Sequence, residues 1–360
     1  MEGKREPFKT KDNNRILCKK EEKKKCLFSC SKISDKVATA VISSITRKAA
    51  PEAAANQIPV TVSSSGPSLS LLDGWREHVT LSMLELDMSI EQEYAADIFS
   101  NMMKSQCKCV FRAVDIPKSV TSEMRTMLVD WLIQVHEYLE LQEETLYLAV
   151  YLMNSYMKVH KIRTTLLQLL AASCLFTACK MEEILIPEPA ELCFMMEDAF
   201  SKKDLLKMEK KVLSRLSFVL HYTQPLHFLR LLAASGKCPE KVRYLAMYFM
   251  ELTLLEADGG TIEPALLASA ALTLAHTVST ESGCLSPDQS CHGLLYSYSA
   301  VELSRPQHLM AKAALHASPE FRATWLKYSR PQRFGVSAGP AMANSKNLSR
   351  CLALLGPNSI

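Results

Sequence analysis

The sequence predicts an all-α chain built from two tandem helical lobes. Three observations carry that reading. The first is a duplication: Tyr147–Met153 reads YLAVYLM and Tyr244–Met250 reads YLAMYFM, 97 residues apart. Leu169–Ala178 (LLAASCLFTA) and Leu266–Ala275 (LLASAALTLA) repeat at the same offset of 97, so two separate segments agree on one register. A unit of about a hundred residues is one domain's worth. The second is an absence: no glycine occurs between Gly74 and Gly236, and no proline between Pro117 and Pro187. Strand-type alternation bounded by turn residues is missing as well. The third is apolar spacing of 3.6 residues along successive long segments.

The elements follow in order. Residues 1–88 read as a disordered arm, first basic and then rich in Ala, Ser and Pro, too poor in large apolar side chains to bury a core. Its run KKEEKKK, Lys19–Lys25, reads as a solvated charge run; a nuclear localisation signal is the alternative. From residue 89 the pattern turns helical. Thr121 or Ser122 caps a helix in which Met124, Met127, Leu128, Trp131, Leu132 and Val135 recur at helical spacing. Glu143–Met157, Thr165–Met181 and Lys202–Leu216 continue the first lobe, assigned to residues 89–222. The second lobe begins near Thr223–Pro225 and repeats the pattern through 318. Residues 319–360 read as a largely flexible extension.

Composition narrows the function classes. Residues 1–36 hold 12 Lys/Arg against 6 Asp/Glu, a local +6 that leaves the rest of the chain at about −2. A basic arm on a near-neutral body is not a groove that tracks phosphate, so no nucleic-acid partner is expected. The chain has 12 cysteines and no C-x-x-C, and Cys174, Cys179 and Cys193 sit in apolar runs. This reads as free thiols in a reducing compartment. Cys18, Cys26 and Cys30 fit no familiar zinc spacing, and no metal or cofactor is expected. The charged N-terminus lacks a signal-peptide core. The apolar stretches Leu166–Cys179 and Ala265–Val278 fall short of the roughly 20 residues of a bilayer span, so they are assigned to core helices and no membrane partner is expected.

The glycine desert also bears on chemistry. Phosphate loops need glycine for close backbone approach or positive φ. The first lobe has none, and Gly259-Gly260 in the second lacks a following Lys-Ser/Thr. His276 and His292 bring no nucleophile and orienting group with them. The chain is therefore read as a non-enzyme.

Met124–Val135 (MRTMLVDWLIQV) is the most distinctive segment. Arg125 and Asp130 are charges set into an otherwise apolar helix, and a buried charge costs several kcal/mol unless paired. Either specific partners fix them or they lie on a solvent edge of the helix.

At this segment the chain resembles the cyclin family, in particular A- and B-type cyclins. The match MRxxLVDW is joined by ETLYLAV at Glu144–Val150, LQL at Leu167–Leu169, ACKMEE at Ala178–Glu183, KMEKKVLSRLSF at Lys207–Phe218 and FGVS at Phe334–Ser337. The resemblance covers about residues 90–337 and implies two tandem five-helix cyclin folds. It implies that Lys180 and Glu209 bind backbone groups of a partner kinase. Leu169 and Phe218 would add apolar contacts there, and Tyr94 and Ile98 would contact the kinase from the preceding helix. It further implies a substrate-docking patch at Met124, Met127, Leu128, Trp131, Gln134 and Gln168. Read without the resemblance, Lys180 is an ordinary exposed lysine and the Met/Leu/Trp stripe is core.

Two positions depart from the family pattern. Gln134 stands where docking-competent cyclins carry Glu; a neutral amide forfeits a charge-assisted bond worth about 1–2 kcal/mol, so weak or altered docking is expected. Asn154 stands in place of the Asp that pairs with the helix arginine, Arg125. That leaves the polar pair Arg125–Asn154 without a counter-charge. The arm also lacks R-x-x-L and K-E-N destruction signals. The function implied is a regulatory subunit that activates a cyclin-dependent serine/threonine kinase in the cell cycle, acting in nucleus and cytoplasm. The alternative is a kinase-independent helical scaffold or a non-activating kinase binder. A nucleic-acid-binding protein of the same two-lobe fold would need a basic lobe surface.

Overall fold

The computed structural model describes residues 79–80, 82–83, 92–106, 111–283, 298–315, 323–343 and 345–354. The basic arm, its Lys19–Lys25 run and Cys18, Cys26 and Cys30 lie outside the described residues. The helices are α1 (Ala95–Ser105), α2 (Ser122–Tyr138), α3 (Glu143–Val159), α4 (Leu167–Glu182), α5 (Pro189–Met195) and α6 (Lys202–Arg215). They continue with α7 (Pro225–Ser235), α8 (Glu240–Leu255), α9 (Pro264–Glu281), α10 (Ala300–Leu315), α11 (Ala323–Tyr328), α12 (Pro340–Ala343) and α13 (Lys346–Leu354). No strand occurs among the described residues.

The sequence repeat falls on equivalent helices. YLAVYLM lies in α3 and YLAMYFM in α8; LLAASCLFTA lies in α4 and LLASAALTLA in α9. Each pair packs side by side, α3 on α4 and α8 on α9. A helix apolar on all sides must be buried on all sides, and α4 is the central helix of the first lobe, with every residue from Leu169 to Cys179 buried. By length and apolarity alone Thr164–Glu182 would suffice for a bilayer span, but α3 and α6 cover it.

Local chemistry sets the helix ends. Thr121 Oγ1 accepts from the Met124 N–H at 3.1 Å, satisfying one orphan donor of the first turn. Ser201 and Asp204 cap α6 reciprocally. Pro189, Pro225 and Pro264 occupy the first positions of α5, α7 and α9, where proline loses no hydrogen bond.

Polar contacts join the two lobes. Arg125 of α2 donates from Nη1 to the carbonyls of Leu254 and Leu255 at 3.0 and 3.3 Å. Glu144 of α3 pairs with Arg230 of α7. Gln224, buried just before α7, donates to Glu182 at 3.2 Å. α1 belongs with the second lobe: Phe99 meets Phe228 edge-on, and Gln106 Oε1 accepts from Ala265 N at 2.9 Å.

The chain end departs from the expected flexible extension beyond 318. α11 and α13 are packed, with Tyr328 and Leu348 buried. Lys327, fully buried, donates to Glu143 at 2.5 Å and to Glu251 at 2.6 Å. Arg333 reaches Glu143 and Glu137, each at 2.9 Å. Ser337 of the FGVS segment returns to the Trp325 carbonyl at 2.8 Å. A six-residue helix carries too little apolar periodicity to be read from sequence; partners supplied by both lobes hold it. The cysteines also depart in part from the uniform free-thiol reading. Cys174, Cys179, Cys193 and Cys351 are free, whereas Cys238 is disulfide-bonded.

Candidate functional site

The last turn of α4 and the middle of α6 lie side by side and bring Lys180 and Glu209 together. Lys180 Nζ stands 2.6 Å from Glu209 Oε1, with 41% of the lysine side chain and 8% of the glutamate side chain exposed. The Phe176 ring, one turn earlier on α4, lies 4.2 Å beneath the ammonium, a cation–π contact that fixes its height above the helix. With its lysine end open to solvent, the pair adds modest stability at most. Its chemical value is positional: the ammonium keeps N–H donors and the carboxylate keeps an acceptor, so one fixed pair addresses both C=O and N–H groups of an approaching backbone.

Exposed apolar side chains occur on both segments that carry the pair. Met181 follows Lys180 directly, and Ile184 and Leu185 come after the end of α4, with Ile184 99% exposed. Leu206 stands three residues before Glu209 on the same face of α6 and is also exposed. Phe218, 69% exposed, sits beyond the end of α6 beside exposed Val219. Ser217 and Phe218 both hold positive φ, 52° and 58°, costing about 1–2 kcal/mol each for non-glycine residues. Isolated exposed apolar residues are ordinary; several of them on the two segments that present a held ion pair are the composition an interaction surface requires.

The remaining expected positions divide. Tyr94 is exposed and Ile98 half-buried, one turn apart at the start of α1. Leu169 departs from its expected place in the surface: it is 4% exposed and belongs to the core of α4. Of the docking stripe, Met124 and Leu128 are buried, while Met127, Trp131 and Gln134 present one partly open face of α2 and Gln168 is half-buried. The stripe is thus core on one side and surface on the other.

Arg125 and Asp130 are both buried, not on a solvent edge. Arg125 Nε donates to Asn154 Oδ1 at 3.0 Å, so the expected pair forms. The missing counter-charge is supplied differently: the Leu254 and Leu255 carbonyls end α8, and a helix C-terminus carries partial negative charge. Burial lowers the guanidinium pKa to about 10, with nearby Glu256 acting against the fall. Asp130 Oδ1 accepts from Ala323 N at 3.0 Å, the first residue of α11, and Oδ2 accepts from Gln134 at 2.8 Å.

Comparison with known proteins fixes the family. Residues 97–221 match the family described as Cyclin, N-terminal domain, and residues 223–342 match Cyclin, C-terminal domain. The chain belongs to the cyclin family. It is 34% identical over 242 residues to a G2/mitotic-specific cyclin-B2 of Oryzias javanicus, covering 66% of this chain and 62% of that one. It is 31% identical over 257 residues to a G2/mitotic-specific cyclin-B of Patella vulgata, covering 70% of this chain and 62% of that one. The chain therefore spans less than two thirds of the length of these curated relatives. The crystal structure of a viral cyclin from herpesvirus saimiri matches with a TM-score of 0.53 at 20% identity, covering 62% of this chain and 97% of the viral one. This agrees with the two-lobe fold.

Sequence reasoning missed several residues of this cyclin. Glu183 of ACKMEE closes the other end of the helix pair: it accepts from Gln142 N at 2.7 Å and Thr145 Oγ1 at 2.5 Å at the start of α3. Ile184 and Leu185 were legible in principle, as apolar residues between an acidic pair and a proline, outside any helical period. The cluster of Glu143, Glu251, Lys327 and Arg333 had no such signal, since its members come from three distant segments. Burial alone would raise the Glu143 pKa, but Lys327, His136 and Arg333 hold it at about 2. Burial wins at Glu251, whose carboxyl is raised to about 7 despite Lys327.

Proposed function

We propose that this cyclin is a regulatory subunit that binds and activates a cyclin-dependent serine/threonine protein kinase, and is not itself an enzyme. The observation that carries the reading is the Lys180–Glu209 pair, held at 2.6 Å on two helices whose exposed apolar residues include Met181 and Leu206. Such a surface suits a helix whose end offers unpaired backbone groups to the charges and apolar side chains to these residues. Phosphoryl transfer requires a kinase to bring its own Lys–Glu pair and activation loop into place. A rigid partner with higher affinity for that arrangement shifts the population toward it. The kinship to G2/mitotic-specific B-type cyclins supports a cell-cycle role; action in nucleus and cytoplasm is part of the proposal.

A second contact is proposed at Met127, Trp131, Gln134 and Gln168, where substrates dock. Gln134 is engaged by Asp130 and offers no charge to a substrate Arg or Lys, so docking rests on the apolar side chains and is weak. A kinase-independent helical scaffold is the alternative; the carbonyls at the end of α8 answer the Arg125 charge that Asn154 leaves without a counter-charge.

The test is titration of the full chain against a panel of monomeric cyclin-dependent kinases, reading both binding and phosphorylation of a generic substrate. Lys180→Ala/Glu209→Ala should abolish both while circular dichroism and melting remain near wild type. Persistent activation by the folded double variant would sink the assignment. Binding without activation would make the chain a non-activating partner.

A further inference from the structure

A cavity of about 380 Å³ opens between the lobes, bounded by one face of α3, the segment after α6 and the adjoining ends of α8 and α9. Its walls carry three cations, Arg125, Lys158 and Arg215, and no carboxylate among the described residues. The nearest acids stand outside the walls: Asp115 lies 3.9 Å from Lys158 Nζ, and Glu256 acts on Arg125. Wall cations that outnumber wall acids in a concave site focus a positive potential into it.

Asn154 sharpens this. Its Oδ1 is taken by Arg125 at 3.0 Å, and its amide nitrogen, on a residue only 6% exposed, makes no hydrogen bond among the described residues. A carboxylate at 154 would cancel one wall cation and remove that donor; the amide does the reverse. The walls are also aromatic. Tyr151 and Tyr222 stack with centroids 4.4 Å apart and planes within 3°. Tyr147 lines the cavity too, and its buried hydroxyl has no hydrogen-bond partner among the described residues. Ser217, one of the two neighbouring residues with positive φ, is on the wall, and strain of this kind gathers at ligand clamps.

From these features we infer that the interlobe cavity binds a small aromatic phosphate. The phosphate faces Asn154, Lys158 and Arg215, and the planar body meets the tyrosine wall. The volume lies in the range of small-molecule sites. A nucleoside monophosphate and a phosphotyrosine side chain share this chemistry. The cavity adjoins the proposed kinase surface at Val219 but does not include Lys180 or Glu209, and its test reads small-ligand binding with no kinase present.

Isothermal titration of the full chain with phenyl phosphate, phosphotyrosine and adenosine monophosphate tests it, with phenol as the uncharged control. One saturable site is expected for at least one phosphate, tighter than phenol, and the tightest probe identifies the body. Asn154→Asp and Lys158→Gln should each weaken it by about tenfold. Asn154→Asp folds because the carboxylate gives Arg125 a counter-charge, and Lys158→Gln alters a half-exposed side chain; urea midpoints check both. The inference is overturned if no phosphate binds the wild type at about 5 mM, if phenol binds as well, or if either variant binds as tightly as wild type.

Discussion

Gln134 donates to Asp130 at 2.8 Å, and through that contact a neutral amide on α2 steadies the buried carboxylate that caps α11 at Ala323. The residue that departs from the docking pattern thus has a structural task. Burial already raises the Asp130 pKa, with the bonds from Ala323 and Gln134 opposing the rise. A second carboxylate at hydrogen-bond distance would add like-charge repulsion. Gln134→Glu is expected to lower stability by about 1–3 kcal/mol at pH 8. The loss should shrink as the pH falls through the raised carboxyl pKa, because one proton then bridges the two groups. Urea unfolding at pH 8 and pH 5 reads the difference; an unchanged midpoint at both pH values refutes the account.

Lys327 holds two carboxylates from separate lobes. Lys327→Met leaves Glu143 and Glu251 facing each other without their shared cation. The expected cost is about 3–5 kcal/mol, the range for removing one partner of a buried pair, read as a shift in urea midpoint. Ending the chain at residue 318 removes the same cation together with α11 and should give insoluble protein.

His136 supplies a pH dependence of opposite sign to that of Glu251. Burial, aided by Lys327, lowers its pKa from 6.5 to about 3. The unfolded imidazole therefore takes up a proton below pH 6.5 while the folded one does not. Its contribution is present above pH 6.5 and declines by about 1.4 kcal/mol per unit as the pH falls toward 3. The Glu251 contribution, from a carboxyl raised to about 7, grows over part of the same window. The comparison is therefore made between wild type and His136→Asn: the variant should lose less stability between pH 7.5 and 5.5, and parallel curves would refute the assignment.

Gly259 is fixed by space. A Cβ there would stand 2.1 Å from the Thr253 carbonyl oxygen, a backbone atom that cannot swing aside. Gly259→Ala should destabilise by about 1–3 kcal/mol. Because the strain falls on the end of α8, whose carbonyls hold Arg125, it should also speed amide exchange at the lobe junction.

The fold was legible wherever apolar period and repeat carry it. α3, α4 and α6 begin and end within two residues of the expected limits, and α2 begins at the expected cap and runs on to Tyr138, since a 3.6-residue stripe and the Thr121 cap are local signals. Lys180 and Glu209 became legible through motif resemblance, and the structure joins them. Leu169 did not follow, because the exposure of one face of an all-apolar helix depends on neighbours that sequence does not rank. The α11 segment was hidden for a related reason: Lys327 and Arg333 carry no local sign of burial, because their partners Glu143, Glu137 and Glu251 come from far upstream.

That separation reaches into biosynthesis. Lys327 is 184 residues from Glu143, and Ala323 is 193 from Asp130. At a synthesis rate of about 5–20 residues per second, the first lobe waits roughly 10–40 s on the ribosome for these partners. During that interval its carboxylates and the seat of α11 remain solvated and its lobe-facing side uncovered. A nonsense codon late in the message would thus leave an unfinished first lobe, not merely a shorter cyclin.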